Sequence, residues 1–335
     1  LAKKQIFLCV PTKLILYTSF LIILAISGIS CKKKAKVVES YNTYTISSGQ
    51  KINNTCWLSN FTGFACGGER STSGKIYKTI DGGANWNEVS SNTGYALYDI
   101  CFINDSIGYC SGEKFQMLYT LNSGKTWQNF AFAWKPGNYE NCTLRNLTKI
   151  NNRVLVTGGD NYNVGITFQF SYNQFYYVYS HPDNELRGSM SFNDGNYFVF
   201  GYGYAFKSKD SLKTYQPINL TNDFFTGSCA INNSLGYVCG YNGGIYTTKN
   251  AGHDWEKLEN VNNLLSSRDH FNSIFFTDEL HGWCVGNTGL ILNTTNGKDW
   301  KKVEYTGKEN LLSIRLKSGN TVVVSTSDGQ LLEFN

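Results

Sequence analysis

The chain has 335 residues, and about 305 remain once its first thirty are set aside, enough for one large all-β domain with no second domain required. Its formal charge of +5 is concentrated at one end: residues 1–39 hold seven lysines and one glutamate (+6), which leaves the remainder at −1. A domain of that charge has no electrostatic basis for binding nucleic acid, and that class is excluded.

Residues 1–30 are built like an export signal, with Lys3, Lys4 and Lys13 ahead of an apolar run over residues 14–29. That run of 16 residues falls short of the roughly 20 that a spanning helix needs. Ser27, Gly28, Ile29 and Ser30 stand before Cys31, a pattern that resembles a bacterial lipobox. The resemblance implies lipid on Cys31 and an exported protein held at the cytoplasmic or outer membrane, facing the periplasm or the cell surface. Residues 31–41 then form a tether. Its Lys32, Lys33, Lys34 and Lys36 either rest against anionic headgroups or are solvated.

Residues 42–335 read as a tandem repeat. The segment Thr79-Ile80-Asp81-Gly82-Gly83-Ala84-Asn85-Trp86 returns at residues 120–127, with Asn122 in place of the aspartate, and at residues 248–255, with Asn250. Trp86 to Trp127 is 41 residues, Trp127 to Trp255 is 128 and Trp255 to Trp300 is 45. These steps are the period of four-stranded propeller blades, with three blades in the long interval. A weaker copy occupies residues 208–215, and one that is a residue short begins at Thr294.

A second marker is the glycine closing the second strand of each unit: Gly67, Gly112, Gly158, Gly201, Gly240 and Gly286, with Ser325 in the seventh. The seventh unit ends at Asn335 after three strands, over residues 311–316, 321–325 and 330–334. The alternating stretch at residues 44–46 is the natural donor of its missing outer strand. The reading is an all-β, seven-bladed β-propeller whose last blade is closed by an N-terminal strand, which removes open sheet edges.

Eight cysteines fall in this domain besides Cys9 and Cys31. Counted from the turn glycines, Cys66 and Cys239 lie three residues ahead but Cys110 only two. If Cys56 faces Cys66 and Cys229 faces Cys239, Cys101 cannot face Cys110, because a one-residue slip turns a side chain to the other sheet face. The expectation is buried thiols packed as small hydrophobes rather than three bridges.

The Thr-x-Asp-x-Gly-x-x-Trp pattern resembles the Asp-box, or bacterial neuraminidase repeat, of sialidases and many non-enzymatic propellers. In that motif Asp81, Asn122 and Asn250 act as turn acceptors, glycine takes a positive φ, and Trp86, Trp127 and Trp255 wedge between sheets. The fuller combination, Gly-aromatic-x-x-Gly, then Gly-x-Ile-Tyr-x-Thr, then the box with its tryptophan, is similar to the photosystem II assembly and stability factor family. The resemblance covers about residues 50–335, strongest in units one, two, five and six. It implies an exported seven-bladed propeller acting as an assembly scaffold.

Propellers bind on the face formed by loops between strands two and three and by the connections between blades. Glu69, Arg70, Glu113, Lys114, Asp160, Tyr202 and Tyr204 are placed there. Two long connections add residues 130–142, with Trp134 and Tyr139, and residues 177–186, with His181, Asp183 and Glu185. Three of the six arginines, Arg145, Arg187 and Arg268, precede innermost strands. They either form a clamp for carboxylate or phosphate or pair with Asp183, Glu185 or Asp269.

The expected function is a membrane-tethered, non-enzymatic scaffold whose partner is an envelope protein or peptide, an anionic one if the arginines are free. Oligomeric state is left open. The alternative is a glycan-binding or sialidase-like glycoside hydrolase propeller, for which aromatic rows such as Phe168-Phe170-Tyr172 speak. Against hydrolysis, no proline follows an Arg-Ile pair, and no Tyr/Glu pair with an acidic aspartate is recognisable. No metal or cofactor is expected: His181, His253, His270 and His281 have no ligand spacing, and no glycine-rich loop opens a helix.

Overall fold

The computed structural model describes residues 40–335 apart from 91–92, 133–138, 162, 173, 183, 193–194, 211–212, 219, 221–222 and 268. The expected export signal, Cys31, Trp134, Asp183 and Arg268 lie outside the described residues. Among the described residues no helix is long and apolar enough to cross a membrane.

Seven four-stranded antiparallel sheets make up the domain. Their innermost strands are Ile52–Trp57, Leu97–Phe102, Thr143–Ile150, Leu186–Phe192, Phe225–Ala230, Phe271–Phe276 and Leu311–Ser318. Each packs beside the next and the seventh beside the first, so the ring of blades closes. The second strands Gly63–Gly67, Gly108–Gly112, Gly236–Gly240 and Gly282–Gly286 are buried at every residue. This explains their short apolar sequences, since neighbouring blades cover both of their faces. The marker glycines answer to space. A Cβ on Gly67 would stand 1.9 Å from the Lys51 carbonyl oxygen, and one on Gly286 1.9 Å from that of His270, where the chain crosses into the innermost strand.

The seventh sheet is ordered Tyr41–Thr45, Gln330–Phe334, Thr321–Thr326, Leu311–Ser318, with Tyr41 opposite Phe334 and Tyr44 opposite Leu331. The expected donor strand is there, beginning three residues before residue 44. By register the seventh counterpart of the marker glycine is Thr326, which faces Leu311, and not Ser325.

The Asp-box turns form as the motif implies. Thr79 Oγ1 donates to Asp81 Oδ1 (2.8 Å), and Asp81 Oδ1 accepts from the Asn85 amide (2.9 Å) while Thr79 Oγ1 accepts from that of Gly83 (2.9 Å). Asn122 and Asn250 do the same work through their Oδ1 atoms, taking the amides of Thr126 and Asp254. In the short copy, Asn296 Oδ1 accepts from Asp299, three residues on rather than four. Trp127 meets Phe64 and Phe102 of adjoining blades edge-on, and Trp255 does so to Phe198. A sixth turn of similar build, not expected from the sequence, is made by Thr326 and Asp328 in blade seven.

Two expectations are corrected. Residues 177–186 are not a long loop, because Gln174–Pro182 is the outer strand of blade three; its length spares that blade an Asp-box. His181, expected on the loop, is buried. The cysteines behave as the register argument requires. Cys56 faces Phe64, two residues from Cys66, whereas Cys101 faces Tyr109, one residue from Cys110. All eight are free thiols, five of them buried.

Candidate functional site

In an antiparallel blade entered from the outer connection, the starts of all innermost strands lie at one end of the ring, with the loops between strands two and three. At this end every innermost strand carries a β-bulge at its second residue, or its third in blade three: Asn53, Tyr98, Arg145, Arg187, Thr226, Asn272 and Leu312. A bulge adds an unpaired residue and re-aims its side chain. All seven line a central channel of about 720 Å³.

Several of the bulge residues staple one blade to the next. Asn53 Nδ2 donates to the Leu97 carbonyl (2.6 Å), Thr226 Oγ1 to that of Phe271 (2.9 Å) and Asn272 Nδ2 to that of Leu311 (2.9 Å). One residue deeper, Asp99 accepts from Asn54 Nδ2 (2.6 Å), Asn146 Nδ2 (3.0 Å) and the amides of Ile100 (2.8 Å) and Leu147 (2.7 Å). Burial raises its pKa, opposed by the Arg315 charge and these donors. Asn146 Oδ1 accepts from Ser189, and Ser228 Oγ donates to the Ser189 carbonyl. Ser325 Oγ donates to the Asn53 carbonyl across the seventh and first blades.

The mouth is charged on one side. Glu185, fully buried, accepts from Arg145 Nε at 2.6 Å and pairs with Arg187 Nε at 3.1 Å. The Arg145 guanidinium lies 4.4 Å from the Tyr98 ring centre, and that of Arg187 lies 4.8 Å from the Tyr202 ring and donates to its hydroxyl. Burial works against the Arg145 charge, but the Glu185 carboxylate and Tyr98 outweigh it and raise its pKa. Two cations on one carboxylate leave a net positive cluster faced by aromatic rings, suited to an acidic or backbone-rich ligand.

The structure brings Arg145, Arg187 and Tyr202 together, and the pairing with Glu185 is the second of the two arginine readings, though buried rather than solvated. Asp269 pairs with Lys302 instead (3.5 Å). Glu69 and Arg70 lie further out: Lys51 holds Glu69 at 3.1 Å, and exposed Arg70 reaches Glu113 at 3.4 Å. Glu113 also accepts from the Ser71 amide (2.6 Å). Arg70, Ser71, Glu113, Lys114, Asn141 and Asp160 border a separate depression of about 280 Å³. Phe168, Phe170, Phe198 and Phe200 are buried in blade packing, so only Tyr172 and Tyr202 of those aromatic rows reach the surface.

Tyr98, Asp99 and Arg315 were missed. The available signal was positional, since near the start of each innermost strand an apolar residue facing the marker glycine or its equivalent is followed by the bulge residue.

Residues 189–333 match the family model described as photosynthesis system II assembly factor YCF48, a stretch that runs from blade four to blade seven. Among solved structures, YCF48 bound to a D1 peptide superposes with a TM-score of 0.71 at 16% identity, covering 91% of this chain and 99% of that one. YCF48 from Cyanidioschyzon merolae gives 0.67 at 14% identity over 88% and 98%. The WD40 β-propeller domain of Doa1 gives 0.69 at 12% identity over 89% and 97%. At such identities the likeness is one of fold. No curated protein matches the chain.

Proposed function

We propose that this photosystem II assembly factor-like β-propeller is a non-enzymatic scaffold that docks a protein segment over its channel mouth. The observation that carries the reading is the Arg145–Glu185–Arg187 cluster walled by Tyr98 and Tyr202. It offers fixed charge and aromatic surface on a rigid rim. The carboxylates beside it are spoken for: Glu185 by two guanidinium groups, Asp99 by four donors. Neither is placed as an acid or base for glycoside hydrolysis. That a YCF48 propeller of the same fold is seen with a D1 peptide supports a peptide or protein partner here.

The finer reading is an exported lipoprotein, tethered through Cys31, that serves envelope proteins with an acidic segment. It rests on the lipobox-like sequence and on the positive mouth. The test is affinity capture of the lipidated protein from its own envelope, wild type beside a Tyr98→Ala, Tyr202→Ala variant. A stoichiometric partner held by wild type and lost from the folded variant supports the scaffold. No such partner in either sample removes it and makes glycan binding the next assay.

A further inference from the structure

Deeper in the channel stands a cation that forms no direct ion pair with a described carboxylate. Arg315 lies midway along Leu311–Ser318, the innermost strand of blade seven, and lines the channel. Its Nη1 donates to the Ile314 carbonyl at 2.9 Å and approaches Ser273 Oγ at 3.4 Å. The guanidinium is felt by Asp99 in blade two and by Cys229 in blade five, on different walls of the ring. Asp99 is already saturated by its four donors, and Glu185 is engaged at the mouth.

Of the described charged side chains lining the channel, Arg145, Lys149, Arg187 and Arg315 are cations and Asp99 is acidic. Beside Arg315, Ser273 Oγ accepts from the Ile314 amide (3.3 Å) and stands 3.4 Å from Arg315 Nη1, which leaves its own O–H to donate. The planar guanidinium fork matches carboxylate or phosphate oxygens, and about 720 Å³ leaves room for a small molecule.

We propose that the central channel is a binding site for a small oxyanion, a molecule bearing a phosphate or carboxylate group held on Arg315. The site lies deeper in the same channel than the rim cluster, and the anion is held on Arg315 rather than on the rim aromatics.

The test is calorimetric titration of the full chain with inorganic phosphate and with citrate, ionic strength being held constant with sodium chloride so that screening is matched. Wild type is expected to bind at least one of them saturably, one per chain, and the better probe identifies the headgroup as phosphate or carboxylate. Arg315→Gln is expected to weaken that binding at least about tenfold, the loss of one charge-assisted hydrogen bond, whereas Leu121→Ala, at an exposed position on an Asp-box turn, leaves it unchanged. Should Arg315→Gln fail to fold, Arg315→Lys, which keeps the charge but not the fork, is expected to weaken it too. Absence of saturable binding to either probe, or equal binding by the folded Arg315 variant, overturns the proposal. Neither of those results bears on rim docking, which the Tyr98, Tyr202 variant tests.

Discussion

His181 sits in blade three with its ring centre 4.6 Å from Tyr179 and Phe206 and 4.8 Å from Tyr215, and its Nε2 has no hydrogen-bond partner. Burial pushes its pKa down to about 3 from the ordinary 6.5. Between those values the unfolded chain binds a proton that the folded one refuses. The stability of the neutral, buried form is therefore full above about pH 6.5 and is lost as pH falls toward 3. Asp99 works with the opposite sign: its raised pKa favours the fold at low pH, and that contribution fades as pH rises through its folded value. Comparing variants isolates the histidine. His181→Phe should gain melting temperature relative to wild type steadily as pH drops from 7 to 4.5, and a pH-independent difference between the two would refute this assignment.

At the scale of the element, the strand Tyr41–Thr45 has the largest leverage for its size. It covers the Gln330–Phe334 edge, Tyr41 packs on Phe334 and Tyr305, and the Ile46 amide donates to the Gly329 carbonyl. Removing residues 40–49 exposes an apolar edge, so the expected result is a large fall in melting temperature with loss of monodispersity; an unchanged melt would contradict the closure. Much of this architecture was legible in the sequence because an Asp-box is local: Thr79, Asp81 and Gly83 find one another within four residues. Blade three was harder, since its strands turn without a box, and its outer strand over residues 174–182 looked like a loop. The site was barely legible. Arg145 meets Glu185 forty residues away, and Asp99 meets the Leu147 amide forty-eight away, pairings that exist only once neighbouring blades have packed. The bulges that aim Tyr98 and Arg187 inward leave no mark in residue type, which varies from asparagine to leucine round the ring.

Over the whole molecule, polar side chains join blade to blade round the channel while aromatic rings do so further out. Asp99 is the most heavily used of them, tying blade two to both neighbours. Asp99→Ala would leave the Asn54 and Asn146 amides and the Leu147 N–H without their acceptor, for an expected loss of about 3–5 kcal/mol, measured by denaturant unfolding; a loss near zero would show that the ring is not held there. With the blades so fixed, one end of the channel presents Arg145, Arg187, Tyr98 and Tyr202 as a rigid rim, and the other end presents the Asp-box turns, where Leu121 is exposed. The most direct measurement is site-specific photo-cross-linking in the native cell from Tyr202 and, separately, from Leu121. A protein partner trapped from Tyr202 and absent from Leu121 is the expected result, and equal trapping from both ends, or from Leu121 alone, would contradict the rim as the docking face.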